Sequence, residues 1–297
     1  MKKKLRVGSR DSLLALIQTQ IVINAIHAYD PEIEIELVKM KTTGDKILDK
    51  TLDKVGGKGL FVKELDEALL SRQVDLTVHS FKDMPMEINP ELPLVALSAR
   101  EDPRDALVLP ESGVMDSRPI GSSSLRRQIQ LRTLFPEHET LSVRGNVQTR
   151  LRKLEEGSYS SLVLASAGLR RLGLEDRIAR LFTPDEMIPA ACQGILAVQG
   201  RKDEDYAYLS AFDCPESHVI AAAERGFVRA LNGGCSAPTA AYAELNDGAV
   251  TLRTFYVSES GKVIRLTDTA PAASAQQLGI RLAEQTLAQA GEGEAHA

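Results

Sequence analysis

The chain has 297 residues, 43% hydrophobic and 26% charged, with a formal net charge of −5. A single hydrophobic core stops growing near this length, so two or three domains are expected. The lack of Trp and an aromatic share of 4% argue against a base-stacking nucleic-acid platform, and three cysteines in no CxxC pair exclude a disulfide framework or a zinc-cysteine site.

The N-terminus "MKKKLRVGSR" is basic but leads into no apolar run, so it does not read as a signal peptide. "KLRVGS" reads as the first strand. Asp11 and Ser12 are candidate N-caps of a helix running to about Tyr29. Gln18, Thr19, Gln20, Asn24 and His27 interrupt that helix, which is too polar to span a membrane. Pro31 marks a turn, and "EIEIELVKM" alternates at period two as a half-buried strand should. A charged, glycine-containing segment follows from Thr42 to Gly59. Then come the helical "FVKELDEALLSR" and the short buried strand "VDLTVHS". Strands alternating with helices predict βαβ units around a largely parallel sheet.

A second set begins after Ala99. "DALVLP" and "PIGSSS" read as strands, and "SLRRQIQLRTLF" as a helix closed by Pro136. "TLSVRG" leads into the helix "NVQTRLRKLEEG", and "SLVLAS" is a further strand. "GILAVQG", from Gly194 to Gly200, is one more buried strand and a candidate to return to the first sheet. From about Ser217 the pattern changes. A helix through "HVIAAAERGFVRAL" precedes three strand-like runs, "APTAAYAEL", "AVTLRTFYVS" and "KVIRLTDT", punctuated by "NDG" and "ESG" as hairpin turns. The helix "AQQLGIRLAEQTLAQA" closes the chain. The expected fold is two α/β domains with mixed sheets and a smaller α+β domain holding a three-stranded antiparallel sheet. The boundaries are 1–97 plus about 193–213, then 98–192, then 214–297.

Charge is unevenly placed. From Arg118 to Arg180 there are eleven Arg and one Lys against six Asp or Glu, a surplus of +6, so the remainder of the chain sums to −11. The predominance of Arg favours bidentate recognition of carboxylate or phosphate over a merely solvated basic face. "GSSSLRRQ" and "SVRGNVQTRLRK" each combine a strand end, small residues and arginines (Arg126, Arg127, Arg144 and Arg150) at the start of a helix, where free N–H groups already attract anions. Arg10 and Ser12 repeat the arrangement after the first strand. In "VHSFKDMP", Lys82 and Asp83 follow a buried strand at the end where open α/β sheets bind ligands; a turn-forming Asp before Pro is the equal alternative. His79, alone, reads as a satisfied structural residue. No P-loop, GxSxG elbow or complete GxGxxG is present, and no metal ligands stand at workable spacing. "LNGGCSAPTA" puts the thiol of Cys235 in a Gly-Gly turn, unlike the buried setting that cysteine usually takes.

In order along the chain, "GSRDSLLAL", "VGGKGLFVKELDEALL", "VHSFKDMP", "REDPRDALV", "GSSSLRRQ", "VRGNVQTRL", "SAGLRRLGL", "PAACQGILAV" and "NGGCSAP" resemble the porphobilinogen deaminases, or hydroxymethylbilane synthases. The resemblance runs from about Arg6 to Pro238. It implies two domains like those of periplasmic binding proteins with the active cleft between them, and a third domain bearing the cysteine. It implies a transferase of tetrapyrrole and heme biosynthesis that joins four porphobilinogen units head to tail, releasing four ammonia, on a covalent dipyrromethane cofactor. Cys235 would hold that cofactor by a thioether, and Asp83 would be the catalytic carboxylate. Lys82, Ser122, Ser124, Arg126 and Arg127 would bind the cofactor's acid groups. Arg10, Ser12, Arg144, Arg150 and Arg171 would serve substrate and the growing chain, with Lys58 on a lid near the cleft. The expected setting is a cytoplasmic monomer acting on a small molecule, without nucleic acid, membrane or metal. Ser122 stands where the family usually has Thr, Cys192 where Gly or Ala is usual, Gln199 where an acid is common and Thr239 where an apolar residue is typical. The alternative is a non-catalytic, periplasmic-binding-like protein for a polycarboxylate. RNA binding through the Arg-rich window is weaker, given so few aromatics and a negative chain.

Overall fold

The computed structural model describes residues 4–42, 62–231 and 238–291. The chain divides into two compact units. One comprises residues 1–101, 171–173 and 194–217; the other comprises 102–170, 174–193 and 218–297.

In the first unit, strand β1 (Lys4–Arg10) is followed by helix α1 (Leu13–Tyr29) and strand β2 (Glu34–Met40). Helix α2 (Lys63–Leu70) precedes β3 (Leu76–Ser80), a 3-10 turn at Phe81–Asp83 and β4 (Leu94–Leu97). Ser12 starts α1 by accepting from the Ala15 N–H at 3.3 Å, so one of the two candidate caps is the cap. The helix buries Val22, Ile23 and Ile26 among Leu5, Val7, Leu76 and Val78. Each such side chain contributes about 1.5–3 kcal/mol, enough to hold down a helix that also turns Gln18 and Thr19 inward. Both are satisfied: Thr19 bonds the Ala15 carbonyl and Gln18 the Ser80 hydroxyl.

In the second unit, β5 (Asp105–Val108), β6 (Ile120–Gly121), helix α3 (Leu125–Leu134) and β7 (Thr140–Leu141) come first. Helix α4 (Val147–Glu155), β8 (Ser161–Ala165), helix α5 (Ser166–Arg171) and β9 (Ile178–Leu181) follow. Strand β10 (Leu196–Gln199) then rejoins the first unit. After helix α6 (Pro215–Ala230) come β11 (Thr239–Asn246), β12 (Ala249–Val257), β13 (Val263–Pro271) and helix α7 (Ala275–Ala290).

The sheets have orders β2-β1-β3-β10-β4, β7-β6-β8-β5-β9 and β11-β12-β13. In each five-stranded sheet the first three strands are parallel, and the fourth, β10 or β5, pairs antiparallel with both its neighbours. The third sheet is antiparallel throughout. This is the α/β architecture expected, including the return of "GILAVQG" to the first sheet. Two strands escaped the pattern reading. β4 lies within the proline-rich "NPELPLVAL", and β9 within the arginine-bearing "RIARLF". "TLSVRG" pairs only through Thr140 and Leu141, and the chain turns at Gly145, φ +116°, before α4.

Entry to β10 constrains the backbone. Gly194 has φ +94°, and a Cβ there would fall 2.2 Å from the Glu101 carbonyl oxygen, an atom that cannot move aside without its peptide. The Gly194 carbonyl accepts from the Glu101 N–H and from Arg171 Nη2. Gly194→Ala is therefore expected to lower the thermal midpoint by roughly 3–10 °C, from about 1–3 kcal/mol of backbone strain plus the clash. A melt unchanged within a degree would show that the turn relaxes freely.

Candidate functional site

Two groups of the expected side chains form within the units. In the first, the C-terminal ends of β1 and β3 lie in neighbouring parallel strands, so Arg10 and the Ser80–Asp83 segment emerge at the same sheet edge. Arg10, Gln18, Val62, His79, Ser80 and Asp83 line a small hollow that opens to solvent. Asp83 is exposed, and Lys82, beside it on the 3-10 turn, is half-buried. Ser12 spends its hydroxyl on the α1 cap. Gln18, which pattern reading passed over, is buried, and its amide is held by the Ser80 hydroxyl at 2.9 Å. A long polar side chain at a position that helical spacing turns toward the apolar face was the available signal.

His79 is buried, with Nε2 at 2.9 Å from Thr77 Oγ1. Burial, with the Arg10 charge adding to it, pulls its pKa down to about 4, so the ring is neutral near pH 7. It stands beside the hollow as a structural residue. Arg171 is largely withdrawn from solvent and donates from Nη2 to the Gly194 carbonyl at 2.6 Å. Burial lowers its pKa to about 10 against the opposing pull of Glu101, which leaves it cationic at neutral pH.

In the second unit, β6 ends at Gly121 and the chain enters α3 through Ser122, Ser123 and Ser124. Ser124 is the N-cap residue, but its side chain makes no cap bond. The Ser122 hydroxyl accepts from the Ser124 N–H at 3.3 Å, and Ser123 bonds Ser142 and the Val143 carbonyl. In the first turn of the helix, Arg126 and Arg127 are buried on either side of Asp105, the first residue of β5, whose side chain is fully enclosed. Arg126 Nη1 lies 2.6 Å from Asp105 Oδ2; Arg127 Nη2 and Nε lie 2.7 and 3.0 Å from Oδ1. Gln193 Nε2 also donates to Oδ1, at 2.9 Å. Burial alone would raise the Asp105 carboxyl, but the two guanidinium groups outweigh it and hold it well below the usual carboxylate range. Burial pulls Arg126 down from its ordinary value against Asp105. Asp105 was missed in the sequence, although a lone carboxylate opening the apolar run "DALV" implies a cationic partner.

Arg144 and Arg150 flank the start of α4, whose Asn146 cap accepts from the Thr149 N–H at 2.9 Å. Both are half-buried. Arg150 Nε donates to the Gly145 carbonyl at 2.8 Å, and Lys153 Nζ to the Arg144 carbonyl at 3.2 Å. Cys235, Lys58 and the segment expected to act as a lid, apart from Thr42, lie outside the described residues. Cys192 is buried at φ +61°, with its N–H on Glu224 Oε2 at 2.6 Å; Cys214 is half-buried.

The His79 shift fixes a pH dependence. Its folded pKa lies below the ordinary 6.5, so the unfolded chain binds the extra proton between about pH 6.5 and 4, and stability falls with pH across that window. Between pH 7 and 5 this group removes about 2 kcal/mol. Urea denaturation of wild type and His79→Gln at both pH values checks it. The variant should lose about that much less on acidification; equal losses would exclude His79 as the source.

Family comparison covers nearly the whole chain. Residues 5–208 match the family described as "Porphobilinogen deaminase, dipyromethane cofactor binding domain", and residues 219–288 match "Porphobilinogen deaminase, C-terminal domain". Similar curated proteins include the porphobilinogen deaminase of Ruminiclostridium josui, 60% identical over 89% of this chain and 90% of that protein. That of Acetivibrio thermocellus is 57% identical over 96% and 98%, and that of Alkaliphilus oremlandii 56% identical over 99% of both. Among solved structures, a methionine-binding protein aligns with 73% of this chain and 92% of its own, at 11% identity and a TM-score of 0.44. With both of its family domains matched and more than half its residues identical to those of relatives of equal length, the chain belongs to the porphobilinogen deaminase family.

Proposed function

We propose that the protein is a hydroxymethylbilane synthase, a transferase that condenses four porphobilinogen molecules head to tail with release of four ammonia. The family match carries this reading, and its first domain is the one that binds dipyrromethane. Each porphobilinogen brings an acetate and a propionate, so binding is chiefly a problem of holding carboxylates. The residues of the second unit fit such a group. Helix α3 is ten residues long, and its first N–H groups have no side-chain cap; Arg126 stands in its first turn, with Ser122 and Ser124 before it. That is a set of donors for anions. Lys82, Ser122, Ser124, Arg126 and Arg127 would hold the cofactor's acid groups, with Cys235 as its covalent anchor. The cofactor, when bound, supplies the terminal pyrrole to which the first substrate is joined.

Asp83 is the proposed catalytic residue. It is exposed, on the rim of the hollow that Arg10 also lines. An anion there stabilises positive charge developing on a pyrrole as ammonia departs, and its oxygens can pass a proton to the leaving amine and take one from the newly joined ring. Arg10 would receive a substrate carboxylate, with Ser12 at the head of α1 beside it in sequence. Arg144, Arg150 and Arg171 would bind the lengthening chain, and Lys58 would approach it from the preceding segment. Each charge-assisted hydrogen bond contributes about 1.5–3 kcal/mol, so loss of one arginine slows elongation and leaves the fold.

No described helix is long and apolar enough to cross a membrane. A cytoplasmic monomer is the setting proposed, supported by an odd number of cysteines in no CxxC pair and by the family resemblance. A non-catalytic polycarboxylate binder would leave Cys235 and Asp83 without a role.

Intact mass under denaturing conditions tests the anchor. The protein incubated with porphobilinogen should carry a covalent excess of about two pyrrole units, with heavier discrete species on further addition, and Cys235→Ser should carry none. A wild-type mass that stays bare with porphobilinogen would overturn the reading. Asp83→Asn should keep its melting temperature and lose about 10²–10⁴-fold in turnover. Near-normal turnover would remove Asp83 from the chemistry.

A further inference from the structure

The two adjacent arginines at the start of α3 are not equivalent. Arg127 spends its Nε and Nη2 on Asp105 Oδ1 and its Nη1 on the Val163 carbonyl at 3.1 Å. Arg126 commits one nitrogen only. Its Nη1 donates to Asp105 Oδ2 at 2.6 Å and to the Ile188 carbonyl at 2.7 Å. The Nε–Nη2 edge of Arg126, the planar pair of donors that matches a carboxylate, is left unengaged. Asp105 is in turn clamped by Gln193, whose amide bonds both the carboxylate and the Pro103 carbonyl.

We infer that Asp105 is a positioning residue for the acid-binding site: it takes up the bidentate edge of Arg127 and one nitrogen of Arg126, so that Arg126 presents an oriented, open edge to a ligand carboxylate. The inference rests on the reading of this arginine pair as a seat for the cofactor's acid groups. It goes beyond that reading in giving the two arginines different tasks and in placing a carboxylate, otherwise repulsive to an acidic ligand, at the centre of the site. The sign of its effect separates positioning from charge. Asp105→Asn takes the three side chains from a net +1 to +2. On charge alone an acidic ligand would bind more tightly; with the arginines released, it binds more weakly.

The experiment follows covalent mass gain of cofactor-free protein with porphobilinogen, together with the melting temperature, for wild type, Asp105→Asn, Arg126→Lys and the double variant. Folded Asp105→Asn should load at least about tenfold more slowly, the scale of losing an orienting partner, and Arg126→Lys should slow loading as well. The double variant should be no slower than Arg126→Lys alone, because Asp105 acts through Arg126. Loading of Asp105→Asn at the wild-type rate or faster, or additive losses in the double variant, would overturn the inference. Asp105→Asn leaves two guanidinium groups buried without their carboxylate. If it yields no folded protein, Gln193→Leu, which keeps the charges paired and removes only the clamp, decides instead. Slower loading at an unchanged melting temperature supports the inference, and wild-type loading overturns it. Failure of wild type itself to gain mass would refute the proposed function, a separate result.

Discussion

A guanidinium group is costly to hold in a nearly dry interior unless an anion shares that interior, and Asp105 is the anion on which the second unit depends. Its side chain is inaccessible to solvent, and both oxygens are occupied by donors from α3 and from Gln193. Such a trio costs much in desolvation, and filling its volume with apolar groups would often be as stable. Its retention makes sense as a way of holding cations at the mouth of α3. The helix supplies the N–H groups, β5 supplies the carboxylate, and the register of β5 with β8 fixes where that carboxylate stands.

The first unit solves a different problem with the same architecture. Two parallel strands end side by side, one bringing the cation Arg10 and the other the carboxylate Asp83. Here the acid is exposed and the histidine behind it is buried and neutral, so the carboxylate is the group that water can reach. Gln18 and Ser80 tie α1 to the end of β3 by a hydrogen bond between side chains, fixing the wall beside Asp83.

Much of this was legible in the sequence, and for identifiable reasons. Buried runs such as "VDLTVHS" and "GILAVQG" are distinctive at period two or as continuous apolar stretches, and the ordered motifs around Asp83, Arg126 and Arg144 carry the family with them. β4 and β9 were not legible, because prolines and arginines mask short strands whose pairing is decided by neighbours far away in sequence. The partner of Arg126 and Arg127 was hidden for the same reason. Asp105 lies 21 residues from Arg126 in sequence, so the apolar run "DALV" that turns it inward does not name the cations it meets. Likewise Ser12 was readable as a cap from its place before an apolar helix, whereas the pairing of Gln18 with Ser80 spans 62 residues.

Strand β10 lies between β3 and β4 in the first sheet, yet it follows them by about a hundred residues that build the second sheet. The β5–β9 sheet is drawn from one continuous stretch of chain, whereas the first sheet must wait for a strand made last. During synthesis from the N-terminus, β3 and β4 would therefore emerge with their facing backbone edges unpaired until β10 arrives. A sheet with a gap at its centre is open to any passing strand. The order of the chain thus makes the first sheet, beyond whose β3 strand the proposed catalytic carboxylate stands, the later of the two five-stranded sheets to become complete.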